Sequence, residues 1–342
     1  MTGSTNTLER TPLVEELSVG QRRLREKMAR ELRLLEPFLE DDLVQEIIVN
    51  PDGLVFVDRA GQAREEVGVM PESIRENFLA TVATSLNTKI DHRQPTIDGR
   101  LLLDGSRVSG EIPPVVTAAS FRIRKHAKLV KPLEYFVETD VMSPEQFALI
   151  DEAIRAKRNI IVVGSTASGK TFLANSLLHR IAVLCPTDRI LTIEDTPELK
   201  VSSTDYTSWV VAEPVSMQSM LHRALRATPD RIVVGEVRGA EAYQLAKMWN
   251  TGHGGGVATI HSDKGPLDGL HRLEQCCVES PEFQGMGEKW IRSLVGDVAH
   301  VLVNLVKTAG RRRIESIVFV NGYDAAREQY DIDVVPTERA ES

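Results

Sequence analysis

The sequence predicts an α/β protein in two parts, a smaller α+β N-terminal domain followed by a domain built on a parallel sheet with helices on both faces. Three observations predict this. The chain has 342 residues, more than one hydrophobic core usually organises, so about two domains are expected. From Pro144 onward, helical stretches alternate with short β-branched runs such as Asn159–Val163, Arg189–Ile193, Arg231–Val234 and Gly256–Ile260. Near-continuous apolar strands separated by helices are the pattern of a parallel sheet buried on both sides. The first third lacks that rhythm and carries hairpin signals instead.

Taken in order, Val19 to Leu39 places Leu24, Met28, Leu32 and Leu35 at helical spacing and predicts an amphipathic helix frayed at Pro37. Glu46–Val49 and Leu54–Val57 are β-like runs joined by Asn50-Pro51-Asp52-Gly53, a turn sequence, and predict a hairpin. A second helix is expected after Pro71. The Gly-, Pro- and Asp-rich stretch from Pro95 to Pro114 precedes another β-like run, Ser120–Arg124. Lys125 to Pro132 is basic and poor in large apolar residues, and a residue before proline avoids helix. The expected organisation is therefore residues 1–130 as the N-terminal domain, 131–138 as linker and 139–342 as the C-terminal domain.

Composition narrows the class. Hydrophobic residues make up 42% and charged residues 26% of the chain, as in folded globular proteins. A net charge of −8 argues against a surface dedicated to phosphodiester backbones, so direct sequence-specific nucleic acid binding is not expected. Cys185, Cys276 and Cys277 form neither a disulfide framework nor a zinc-ligand spacing, which suits a reducing compartment. The N-terminus has no basic-then-apolar secretory pattern, and the apolar stretch Val298 to Val306 is far shorter than a spanning helix needs. The expected location is cytoplasmic, without a membrane anchor of its own.

The chemistry is concentrated in a few segments. Gly164, Ser165, Thr166, Ala167, Ser168, Gly169, Lys170 and Thr171 match GxxxxGK[ST] between a β-run and the helical Phe172–Leu178. In such a loop the backbone N–H groups wrap phosphates, Lys170 neutralises the β/γ oxygens and the Thr171 hydroxyl ligates Mg²⁺. The expected nucleotide-binding set runs from Gly164 through Phe172, with ATP and Mg²⁺ as the cofactors. Glu194, followed by Asp195, and Glu236 each end an apolar β-run, where a carboxylate would hold hydrated Mg²⁺ or orient the attacking water. Each alone would serve equally well as a solvated loop acid, and which of Glu194 and Glu236 activates water stays open. Thr251 to Ser262 carries four glycines, Gly252, Gly254, Gly255 and Gly256, with His253 and His261 at its two ends. Those histidines fit either a phosphate-edge or subunit-edge role, or ordinary capping and core positions. Arg107, Arg124, Arg223, Arg226 and Arg238 are candidate phosphate ligands among arginines that are mostly solvated.

With these motifs assembled, the sequence resembles the traffic ATPases of type IV secretion, type II secretion and type IV pili, most closely their conjugal-transfer branch. The resemblance rests on the P-loop (Walker A) at Gly164–Thr171, an Asp box at Ile193–Leu199, a Walker B variant at Pro229–Glu241 and a His box from Thr251 to His261. It departs from many relatives at Ala167, where they carry Gly. The resemblance implies a RecA-like P-loop NTPase C-terminal domain and an N-terminal domain that covers the nucleotide and supports oligomerisation. It also implies catalytic roles for Glu236, Glu194, Lys170, His261, His253, Arg107 and Arg124, with Thr171, Glu194 and Glu236 on Mg²⁺. The implied assembly is a homo-hexamer, peripheral at the cytoplasmic face of the inner membrane, that works with channel proteins and other transfer ATPases. Rival readings are a type IV pilus or type II secretion motor, a non-hydrolysing nucleotide-dependent scaffold, and a small-molecule kinase.

Overall fold

The computed structural model describes residues 18–59, 62–125, 130–166, 168–212, 214–283, 287–308 and 311–336. The chain divides into two compact units, Met1–His126 and Ala127–Ser342.

In the first unit, α1 (Val19–Glu31) opens with a capping box in which Ser18 Oγ accepts from Gln21 N–H at 3.2 Å and Gln21 returns the favour to Ser18 N–H. The predicted single helix to Leu39 is broken. A 3₁₀ turn, Arg33–Leu35, separates α1 from α2 (Glu36–Glu40), and Pro37 lies in the first turn of α2 rather than at a frayed end. A missing N–H costs nothing in a first turn, where no partner is available for it. The hairpin forms as predicted, β1 (Val44–Val49) with β2 (Leu54–Arg59), and is extended by β3 (Glu65–Val69). α3 (Glu72–Ser85) then sends Arg75 back to the hairpin turn, where it donates to the carbonyls of Met70 and Pro51. β4 (Thr96–Arg100), β5 (Arg107–Glu111) and β6 (Ser120–Arg124) complete an antiparallel sheet in the order β3-β2-β1-β6-β5-β4. One face buries Ile47, Val49, Val55, Val57, Val108 and Ile123 against Phe78, Leu79 and Val82 of α3.

The second unit begins earlier than the sequence suggested. Residues 134–138, expected as linker, form α4 (Glu134–Glu138), and Leu133 and Phe136 are buried in the core of this unit. These two large apolar side chains, just after the basic stretch, anchor it. There follow α5 (Pro144–Arg155), β7 (Ile160–Gly164), α6 (Lys170–Leu184), β8 (Ile190–Glu194), β9 (Tyr206–Val210), α7 (Met217–Ala224), β10 (Arg231–Val237), α8 (Glu241–Asn250) and β11 (Val257–His261). The chain continues through α9 (Pro266–Val278), α10 (Glu288–Val298), β12 (Val301–Thr308), β13 (Arg311–Asp324) and β14 (Gln329–Pro336). The sheet order is β14-β13-β12-β7-β11-β10-β8-β9. Alternate residues serve opposite layers: Ile161, Val163, Leu191, Ile193, Ile232 and Val234 pack toward α7–α10, while Ile160, Val162, Ile190 and Val233 pack toward α4–α6. Burial on both faces is why these strands read as unbroken apolar runs.

One expectation is corrected here. The sheet is parallel from β12 through β9, but β13 and β14 are antiparallel additions. The apolar stretch Val298 to Val306, too short for a membrane span, supplies most of β12 beside the central strand β7. Among the described residues no helix is long and apolar enough to cross a membrane.

Candidate functional site

A parallel strand followed by a tight turn and a helix aims the helix N-terminus at the carboxyl edge of the sheet. β7 ends at Gly164, and α6 starts at Lys170 with Gly169 as its N-cap in the left-handed region, φ 105°. A helix N-terminus that follows a strand in this way is a place where backbone N–H groups can receive an anion. Lys170 folds back over the loop, where its Nζ donates to the carbonyls of Gly164 at 2.8 Å and Ser165 at 2.9 Å. Phe172 turns inward to pack on Phe136 and Tyr135 of α4. The departure at Ala167 lies outside the described residues.

The two acids emerge at the same sheet edge. β8 and β10 run parallel with Val234 beside Ile193, so Glu194 and Glu236 leave neighbouring strands close to the same level. Their environments differ. Glu194 is only 3% exposed, and its Oε1 accepts from the N–H groups of Glu198 at 3.0 Å and Leu199 at 2.8 Å. Burial outweighs those two donors and pushes its carboxyl up to about 7. The loop it grips is pinned a second time by Asn175 of α6, which donates to Glu198 O and accepts from Lys200 N–H. Glu236 is half-buried and ion-paired to Arg238, which also reaches Asp195 at 3.7 Å.

The two histidines part company. His261 ends β11 with its Cα opposite Gly164, at the start of the Gly164–Thr171 loop, and its Nε2 lies 3.2 Å from Asp263. His253 lies at the other end of the sheet, where its Nδ1 faces the carbonyl of Pro229 at 3.1 Å. β11, five residues long, spans about 16 Å between the two ends. The intervening glycines serve packing: a Cβ on Gly256 would meet the Ile232 carbonyl oxygen at 2.1 Å. Asn159 Oδ1 accepts from both Gly255 and Gly256 N–H, and the buried Arg231 donates to Gly255 O.

In the first unit, Arg107 and Arg124 are cross-strand partners, and Arg100 stands opposite Arg107 on the next strand. Directly opposed residues share a face, so the three arginines form one row. Arg100 was missed because it lies in a turn-rich stretch with no motif. Arg312 was missed for a different reason: its Nε donates to Ser168 O at 3.0 Å from β13, a strand remote in sequence from the loop.

The comparisons bear on this arrangement. A family model described as type II/IV secretion system protein matches residues 28–320. The chain belongs to that family. It is 40% identical over 303 residues to the probable conjugal transfer protein TrbB of Sinorhizobium fredii, covering 89% of this chain and 91% of that protein. The conjugal transfer protein TrbB of Rhizobium radiobacter is 36% identical, with 83% and 86% covered. The type IV secretion system protein PtlH of Bordetella pertussis is 30% identical, with 86% and 95% covered. Among solved structures, the Yersinia pseudotuberculosis ATPase DotB matches with a TM-score of 0.63 at 19% identity, covering 89% of this chain and 81% of that one. That likeness carries the two-part RecA-like fold.

Within the secretion family fold, the edge assembled here suits phosphate chemistry: a helix head with a lysine, two strand-end carboxylates and a histidine. The residues also fit Mg²⁺. Among the described residues no group of three or more His, Cys, Asp and Glu side chains could hold a metal, but Mg²⁺ at such a site uses one or two protein oxygens with phosphate and water oxygens. Thr171 and Glu236 carry oxygen donors of the kind Mg²⁺ takes.

Proposed function

We propose that this chain is an ATP hydrolase that works as a homo-hexamer at the cytoplasmic face of the inner membrane, powering conjugative transfer or conjugative pilus assembly in a type IV secretion system. Its partners on this reading are channel proteins of the inner membrane and other transfer ATPases. The observation that carries the reading is the convergence of the α6 head, Lys170, Glu236 and Glu194 on one edge of a RecA-like sheet. The TrbB and PtlH relatives support the system.

Lys170 would exchange the Gly164 and Ser165 carbonyls for phosphate oxygens, and the N–H groups of the first turn of α6 would hold the remaining phosphate charge. Thr171 and Glu236, the latter released from Arg238, would hold Mg²⁺, whose chemistry there would be to neutralise phosphate charge. Glu194 is assigned the attacking water. Its anchored Oε1 orients the carboxylate, and a value near 7 matches the operating pH of a general base, so Oε2 would take the proton. His261 would touch the outer phosphate side, while His253 is assigned a structural role. Arg107 and Arg124 are proposed to add positive charge as it is needed in the transition state.

The test is steady-state ATP hydrolysis by the full chain across a protein concentration series, with mass measured at each point, beside Lys170→Ala and Glu236→Gln. Turnover that rises with assembly and drops at least about a hundredfold in both variants is expected. Tight nucleotide binding without turnover in any assembly state would identify a nucleotide-dependent scaffold instead.

A further inference from the structure

The P-loop is wedged against the β12–β13 hairpin, the part of the sheet that departs from parallel order. A Cβ on Gly164 would meet the Leu305 carbonyl oxygen of β12 at 2.3 Å, and one on Gly169 would meet Arg312 Nε and Cδ of β13 at 3.2 and 3.3 Å. The hairpin therefore contacts the loop at both fixed glycines of its motif. Arg312 lies over Gly169 with its stem and donates Nε to the Ser168 carbonyl at 3.0 Å. Burial against this wall holds its guanidinium below the ordinary range.

We infer that Arg312 is a positioning residue for nucleotide phosphates: by holding the Ser168 carbonyl it fixes Gly169 in its left-handed conformation and aims the N–H groups at the head of α6. The inference rests on reading Gly164–Thr171 as the nucleotide site, and Arg312 acts through the loop without touching the nucleotide. Arginine suits the task because its Nε sits at mid-stem. One side chain can then cover Gly169 and donate to the neighbouring carbonyl at once. Lysine carries its only donors at the tip, and leucine keeps the apolar stem without a donor. Either leaves the Ser168 carbonyl unheld, so the loop samples conformations in which its N–H groups diverge. This gives the antiparallel hairpin a purpose beyond widening the sheet.

The experiment compares Mg-ATP binding, by calorimetry on the full chain, for wild type, Arg312→Lys, Arg312→Leu and Lys170→Ala, with the nucleotide-free unfolding midpoint of each. Both Arg312 variants are expected to weaken binding about tenfold or more. Their nucleotide-free midpoints should stay within about 2 °C of wild type. Wild-type affinity in either Arg312 variant would overturn the inference, as would a loss of affinity that merely tracks a fall in the nucleotide-free midpoint. A wild-type chain that binds no Mg-ATP would remove the site reading and this inference together. That failure is read from the wild-type titration alone and is distinct from failure of the Arg312 variants.

Discussion

Glu194 and Glu236 are the same residue type at the same sheet edge, yet burial separates them. For Glu194 the folded value, about 7, lies above the 4.5 of an unburied glutamate. The folded chain therefore binds that proton more tightly, and stability falls as pH rises from 4.5 to about 7. A shift of this size corresponds to about 3 kcal/mol. Glu194→Gln has no carboxylate to ionise, so its stability relative to wild type should improve by about that amount between pH 4 and pH 8 in urea unfolding. If Glu194 is the base, the same variant should retain Mg-ATP binding while turnover falls at least about a hundredfold. Wild-type kcat should rise with pH through about 7 as the carboxyl loses its proton. A variant that hydrolyses ATP at the wild-type rate would return the water-activating role to Glu236.

The element that best repays testing is the glycine run before β11. Arg231, 1% exposed, binds Asp188 at 2.7 Å, Gly255 O at 2.8 Å and Ile154 O at 3.0 Å. It thus ties the start of β10 to the glycine run and to α5. Replacing it with methionine keeps the volume but strands Asp188 and two carbonyls, so Arg231→Met is expected to cost about 3–5 kcal/mol in denaturant unfolding. A cost below about 1 kcal/mol would mean that water or Lys157, already 3.3 Å from Asp188, takes over. In the glycine-rich segment Gly252 and Gly255 bend the backbone at positive φ, Asn159 and Arg231 hold Gly255 and Gly256, and the missing Cβ of Gly256 admits close strand and tryptophan packing.

At the scale of the whole molecule, the described residues form three hydrophobic clusters in two units, one on the antiparallel sheet and one on each face of the RecA-like sheet. A ligand stabilises only what binds it. Mg-ATP at about a hundred times its dissociation constant should add about 2.7 kcal/mol to the unit that carries Gly164–Thr171. Hydrogen exchange of the full chain should show protection rising in β7, α6 and β8 on addition of Mg-ATP. Unchanged exchange in those elements would contradict the assignment of the nucleotide to this loop.

The sequence by itself determined the fold class, the P-loop and the two strand-end acids. Those features are local: a glycine spacing on a strand-to-helix turn, and apolar runs whose both-sided burial erases alternation. β9 and β14, the two edge strands, were not legible, because a partly exposed strand at the margin of a sheet mixes polar and apolar residues without a firm period. Pro37 was misread because proline marks either end of a helix until the break between α1 and α2 is seen. Only the tertiary structure decided that Glu194 is buried, that His261 stands opposite Gly164, and that Arg312 reaches Ser168. Each of these depends on strand register or on residues far apart in the chain, and neither composition nor periodicity carries that information.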